Sequence, residues 1–251
     1  MSDSVERFSN RVANYVKYRP DYPREIISHL EEKCGLAHES LIADIGCGTG
    51  ISSQLFLENC NTVIGVEPNA AMRDAAVEFL AAFPDFTIVD GTSDATTLAD
   101  ESVDLVVAAQ AFHWFDPMTT RQEFKRILKP NGHIVLIWNE RQLNTTPFLV
   151  DYENFLLKYA MDYTKVRHEN IDGERLREFF QRNYTAKTFQ NSQVFDFAGL
   201  KGRMLSSSYM PDETAEVFSE MIEDLHTLFA KHAGNGRIRV SYDTNVYTSQ
   251  I

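Results

Sequence analysis

The stretch Leu41-Ile42-Ala43-Asp44-Ile45-Gly46-Cys47-Gly48-Thr49-Gly50 decides how the chain folds. A short apolar run ends in three glycines at alternate positions. Ile51-Ser52-Ser53-Gln54-Leu55-Phe56-Leu57-Glu58 follows, with its apolar residues at helical spacing. The reading is a strand, a tight turn and the start of a helix. Glycine lets such a turn adopt positive φ and lets a ligand come close to the backbone. The helix N-terminus beyond offers unpaired N–H groups and partial positive charge. A turn of this kind suits the polar part of a nucleotide-like ligand.

Working outward, Thr62-Val63-Ile64-Gly65-Val66-Glu67-Pro68-Asn69 is a second apolar strand that ends in an acid. The two segments make one strand–helix–strand unit. A carboxylate at the end of the second strand can accept both hydroxyls of a ribose, as in dinucleotide sites. Asn69 is placed to cap a helix through Met72, Ala75, Ala76, Phe79 and Leu80.

The glycine spacing limits the choice of ligand. NAD sites use G-x-G-x-x-G, and the nearest match here puts Ser53 at the third glycine. No G-K-[S/T] phosphate loop is present. The form D-I-G-C-G-T-G, with Glu67-Pro68 after the next strand, resembles the S-adenosylmethionine (SAM) site of the class I methyltransferases. Leu128-Lys129-Pro130-Asn131-Gly132 before an apolar strand is similar to the same family, and so is Tyr15-Val16-Lys17-Tyr18-Arg19-Pro20-Asp21-Tyr22-Pro23. The resemblance covers roughly residues 8–251. It is nearest to type 11-like small-molecule methyltransferases, trans-aconitate-type enzymes among them.

That resemblance implies a Rossmann-like α/β fold. Its seven-stranded sheet would be mainly parallel, with one antiparallel strand and helices on both faces. It implies SAM as cofactor. Gly46, Gly48 and Gly50 would surround its aminoacyl part, with Cys47 among the cofactor-binding residues. Glu67 would hold the ribose, beside Pro68 and Met72, while Asp94 and the Ala95 backbone would hold adenine. Gln110, Tyr15 and Arg19 would close the site. For Arg19 the sequence leaves two anions open, the SAM carboxylate or an acid on the acceptor. The loop Ala111-Phe112-His113-Trp114-Phe115 would sit beside the sulfonium. His113 is the candidate general base, with a structural hydrogen bond as the alternative. Tyr18, Trp114, Trp138, Arg141 and Tyr209 are the candidate acceptor-binding residues. Arg141 is a candidate partner for a substrate anion.

Composition narrows the partners. The 251 residues fit one domain, expected over 1–251 with an N-terminal lid segment (1–23) and a helical cap insertion (about 147–182). A hydrophobic fraction of 43% and a charged fraction of 24% describe a soluble globular chain. The net charge of −12 argues against a general nucleic-acid binder, which needs Lys and Arg to displace counterions. Cys34, Cys47 and Cys60 are scattered, with no metal-ligand spacing, so no metal is expected. No signal-like apolar region and no run long enough to span a bilayer is evident. A cytoplasmic monomer or weak homodimer acting on a small molecule is therefore expected. The competing readings are an NAD-dependent oxidoreductase and a SAM-binding partner subunit without catalysis.

Further along, strands are predicted at 86–91, 102–110, 133–139 and 185–197. A last strand near 237–247 is expected to be split at Asp243-Thr244. Phe148, Tyr152, Phe155, Leu156 and Tyr159 form an amphipathic stripe, read as core.

Overall fold

The computed structural model describes residues 17–161, 163, 173–207 and 209–250. Seven strands form one sheet: β1 (Leu41–Ile45), β2 (Thr62–Val66), β3 (Phe86–Val89), β4 (Val103–Ala109), β5 (Leu128–Arg141), β6 (Thr185–Phe195) and β7 (Ile238–Gln250). Their order is β3-β2-β1-β4-β5-β7-β6. Pairs among β1 to β5 are parallel, and β7 runs antiparallel to both neighbours. From β1 the chain winds to one side through β2 and β3, then returns to build β4 and β5 on the other. That reversal between β1 and β4 opens a crevice beyond the strands' carboxyl ends.

The helices are α1 (Glu25–Cys34), α2 (Ile51–Leu57), α3 (Ala70–Phe79), α4 (Pro117–Ile127), α5 (Pro147–Tyr159), α6 (Gly173–Phe180), α7 (Phe197–Leu205) and α8 (Phe218–His232). Side chains cap several of their N-termini. Asn69 accepts from the Met72 N–H, Asp116 from Met118 and Thr119, Thr146 from Leu149 and Asp196 from Gly199. Gly35 ends α1 in the left-handed region (φ 64°).

Successive residues of a strand serve opposite faces. Val135 and Ile137 join Ile26 and Leu30 of α1 and Phe56 of α2. Ile134, Leu136 and Trp138 join Phe124 of α4 and Phe179 of α6. Both faces are covered, so the central strands are apolar throughout. Each such side chain, fully buried, contributes about 1.5–3 kcal/mol. A third cluster joins α5, α7 and α8 to the start of β7 through Tyr152, Leu200, Leu225 and Tyr242. The stripe on α5 lies in this cluster, as its periodicity predicts.

Two expectations need correction. The turn at 129–132 does not precede β5 but bulges within it. Pairing with β4 jumps from Val103–Leu128 to Leu105–His133, and Asn131 takes a φ of 71°. Lys129 Nζ anchors the bulge on Asp104 Oδ2 at 2.8 Å. The last strand is not split. Asp243 and Thr244 stay in register with β5 and β6, because side-chain amides of Gln142 and Gln190 and the Asn139 side chain satisfy their polar atoms.

Candidate functional site

At the tip of β1 the glycine turn meets two neighbours. A Cβ on Gly46 (φ +69°) would come within 2.8 Å of Ala111 Cβ and 3.3 Å of the Phe115 ring. The loop after β4 therefore packs directly on this backbone. Gly48 (φ +56°) is the opposite case, with no heavy atom within 4 Å of where its Cβ would sit. Any side chain would fill the space that Gly48 leaves open. Cys47 between them is buried and touches β2, where a Cβ on Gly65 would meet its sulfur at 2.8 Å. Burial first, then Asp44 and Glu67, push its thiol well above the usual range. This is an unreactive cysteine.

Beneath the turn lies Asp44, fully buried. Its Oδ2 accepts the hydroxyls of Ser52 (2.6 Å) and Ser53 (2.7 Å), which fixes the start of α2. Burial pushes its carboxyl up to about 6, against those two hydrogen bonds. Oδ1 has no hydrogen-bond partner among the described residues.

Glu67, at the end of β2, grips the turn. Oε2 accepts the Gly48 N–H at 3.0 Å and Oε1 accepts the Asn69 N–H at 2.9 Å. Burial raises its pKa, and those backbone bonds oppose the rise. Pro68 beside it is exposed, and Met72 is buried in the first turn of α3. One strand further out, Thr92 and Ala95 exchange backbone hydrogen bonds (3.1 and 3.2 Å), closing a tight turn. Asp94 sits exposed on that turn and accepts the Thr92 hydroxyl at 2.6 Å. The Ala95 N–H is thus already donated to Thr92. Thr96 anchors the turn through its N–H (2.8 Å) and hydroxyl (2.6 Å) to Glu123 on α4. The hydrogen bond from Arg126 is the main reason the Glu123 carboxyl lies at about 2.

A cavity of about 410 Å³ runs from the glycine turn along the sheet edge to β7. Of the expected site residues, Arg19, Gly46, Cys47, Gly48, Gln110, His113, Trp114, Arg141 and Tyr209 line it. Glu67, Pro68, Met72, Asp94 and Ala95 do not line it. Gln110 adopts a positive φ of 54° just past β4, a strained conformation for a side chain of this type. Its Nε2 donates to the Asn139 carbonyl (2.9 Å). Its buried Oε1 has no hydrogen-bond partner among the described residues. The His113 ring lies 4.6 Å from that of Trp114, which is 44% exposed at the cavity mouth.

Two expected acceptor residues lie elsewhere. Trp138 points to the α4–α6 face of β5 and is 1% exposed, edge-on to Phe112 and Tyr247. It is a core side chain packed with Phe124 and Phe179, whereas the cavity takes its β5 wall from Asn139, Glu140 and Arg141. The Tyr18 ring packs on Gly202 of α7 instead of lining the cavity. Tyr15 lies outside the described residues. Arg141 lines the cavity, but its charge is already matched. It pairs with Glu153, bonds the Tyr163 hydroxyl at 2.9 Å and lies over the Tyr152 ring at 5.2 Å. Arg19 donates to the Ser206 carbonyl at 3.0 Å, tying the N-terminal segment to the end of α7.

Sequence reasoning missed Arg203 and Tyr242, which also line the cavity. Arg203 sits on α7 amid Phe197, Leu200 and Met204 and shares that helix with a second cation, Lys201, so nothing local marked it out.

With this geometry in place, comparison with known proteins is informative. A family model described as a methyltransferase domain matches residues 43–136, from β1 into β5. An uncharacterized methyltransferase-like protein of Schizosaccharomyces pombe is 27% identical, over 98% of this chain and 96% of its own. An uncharacterized methyltransferase of Mycobacterium tuberculosis is 37% identical over 53% of this chain and 52% of its own. Among solved structures, a candidate type II methyltransferase from Anaeromyxobacter dehalogenans shares the fold. Its TM-score is 0.67 at 18% identity, over 93% of this chain and 98% of that one. Residues 43–136 thus match a methyltransferase domain, and the chain as a whole shares the fold of solved methyltransferase structures.

Proposed function

We propose that the chain binds SAM and transfers its methyl group to a small-molecule acceptor, with a carboxylic acid as the favoured class. The observation that carries this reading is the Glu67 carboxylate clamped beside the open face at Gly48. A carboxylate oxygen that accepts one N–H keeps lone pairs for a ribose hydroxyl. The buried Oε1 of Gln110, with no hydrogen-bond partner among the described residues, supports a ligand group that donates a hydrogen bond. The open space at Gly48 fits the aminoacyl part of SAM, and Asp94 would accept from the adenine amino group. The expected Ala95 contact requires its N–H to leave Thr92.

When bound, SAM supplies a methyl on a sulfonium, open to in-line displacement by an acceptor oxygen, nitrogen or carbon. The protein then has three tasks. Gly46, Gly48 and Gln110 orient the aminoacyl end. Trp114 supplies an aromatic face near a cation and helps exclude water. His113 takes the acceptor's proton where the nucleophile carries one. Much of the rate in such a transfer comes from positioning, so no catalytic triad is needed.

An oxidoreductase is disfavoured by Ser53. Its hydroxyl is committed to Asp44 inside the fold, at the position where an NAD turn needs a glycine. The test is calorimetric titration with SAM, with NADH as control, followed by methyl transfer across a metabolite panel. Saturable one-to-one binding of SAM alone supports the reading. Heat from NADH and none from SAM would replace it with the oxidoreductase. SAM binding without transfer to any acceptor would favour a non-catalytic subunit.

A further inference from the structure

Three arginines line the cavity, and their charges are not matched alike. Arg141 has the Glu153 carboxylate. Arg19 reaches a backbone carbonyl. Among the described residues, Arg203 is held only by neutral groups. Its Nε donates to the Tyr242 hydroxyl at 3.2 Å, and its Nη1 to the hydroxyls of Ser207 (3.2 Å) and Ser206 (3.4 Å). These are long for bonds from a cation, which shorten to about 2.7–2.9 Å on a carboxylate. Arg126 shows the contrast, at 2.7 Å from Glu123. Among the described residues no acid lies within ion-pair distance of Arg203. The acids of the same cavity, Glu140 and Asp243, make no ion pair with it, and Asp243 is tied to the amides of Gln142 and Gln190.

An enclosed cation without an anion is costly to keep. The guanidinium is nevertheless held in place. The Tyr242 hydroxyl donates a hydrogen bond to Gln193 Oε1 at 3.0 Å, and Gln193 Nε2 donates to the Tyr18 carbonyl. Nη2 has no hydrogen-bond partner among the described residues, so its N–H groups stay available to an anion.

We infer that Arg203 is the receptor for the carboxylate of a small monocarboxylic acid, the acceptor of the proposed transfer. Glu140 and Asp243 in the same cavity repel a dianion, so one negative charge fits better than a phosphate. The tyrosine rings of Tyr163, Tyr209 and Tyr242 give the acid's apolar body a surface to pack on. The acceptor role rests on the methyltransferase reading, whereas the anion site does not.

The experiment titrates the purified chain, without cofactor, with propionate, benzoate and phenylacetate. The matching amides and inorganic phosphate serve as controls. Calorimetry then repeats the series on Arg203→Gln and Arg203→Lys, with circular dichroism to check folding. At least one carboxylate should bind one per chain, and the amides should not. Arg203→Gln should weaken that binding by about tenfold or more, and Arg203→Lys should fall between. Affinity for S-adenosylhomocysteine should stay unchanged in both. If Arg203→Gln does not fold, Arg203→Lys alone decides, since it keeps the charge and loses the guanidinium's fixed donors. The inference is overturned if no carboxylate binds, if phosphate binds in preference, or if the variants bind carboxylates as the wild type does. A parallel loss of S-adenosylhomocysteine affinity also overturns it, because Arg203 would then serve the cofactor's own carboxylate. Arg203-dependent carboxylate binding in a chain that ignores SAM would keep this site and sink the methyltransferase reading. SAM binding with carboxylate binding that ignores Arg203 would do the reverse.

Discussion

Asp44 carries a carboxyl group into the driest part of the sheet, and two serine hydroxyls only partly compensate it. Its carboxyl rises from an ordinary 3.8 to about 6. The folded state therefore holds this proton more tightly than the unfolded chain. The resulting stabilisation is full below the ordinary value and is lost as pH rises toward about 6. Asp44→Asn removes the effect while keeping an acceptor for the serines. Relative to wild type, the variant should gain roughly 3 kcal/mol between pH 4 and pH 7. Urea unfolding at the two pH values measures this, and a constant difference would show that the Asp44 carboxyl keeps its ordinary value in the fold. Glu67 tests the cofactor side. Glu67→Ala should keep the fold and weaken SAM binding by about 1.5–3 kcal/mol, the cost of losing charge-assisted contacts. Unchanged SAM affinity by calorimetry would remove Glu67 from the ribose site. The acid and the glycines were legible in sequence because a strand end and a turn are local features. Arg203 was not, since Tyr242, its hydrogen-bond partner, lies on the last strand.

At the scale of elements, α7 and the N-terminal segment hold each other. A Cβ on Gly202 would lie 2.1–2.4 Å from carbons of the Tyr18 ring. Arg19 adds a hydrogen bond to the last turn of the same helix. Gly202→Ala must lift this segment off α7 and disturb the support of Arg203. We expect a loss of about 1–3 kcal/mol from overpacking. Tyr18→Ala in the same chain should recover much of it, because the two changes share one contact. Additive losses in thermal melts would mean that the contact is not what makes a glycine necessary. The sequence shows the small residue but not its neighbour, which lies most of the chain away. The same limit explains Trp138. Its strand was readable, but which face it served depended on the register with β4 and β7.

For the whole molecule, cofactor binding and folding are linked. A ligand that binds only the folded chain adds about 2.7 kcal/mol at a hundredfold excess over its Kd. SAM should thus raise the melting temperature progressively with concentration, and NADH should not. A melting temperature indifferent to SAM would argue against a preformed site at the glycine turn. The sequence by itself determined the β1–β5 scaffold and its glycine turn. Each buried parallel strand is a continuous apolar run closed by a turn, and such signals lie within a dozen neighbouring residues. The tertiary structure alone decided the far wall of the cavity. There β7 enters antiparallel beside β5, and α5, α7 and Tyr163 bring Glu153 to Arg141 while leaving Arg203 without an acid among the described residues. Pairing of charges over such separations follows from packing, and packing has no local sequence signature.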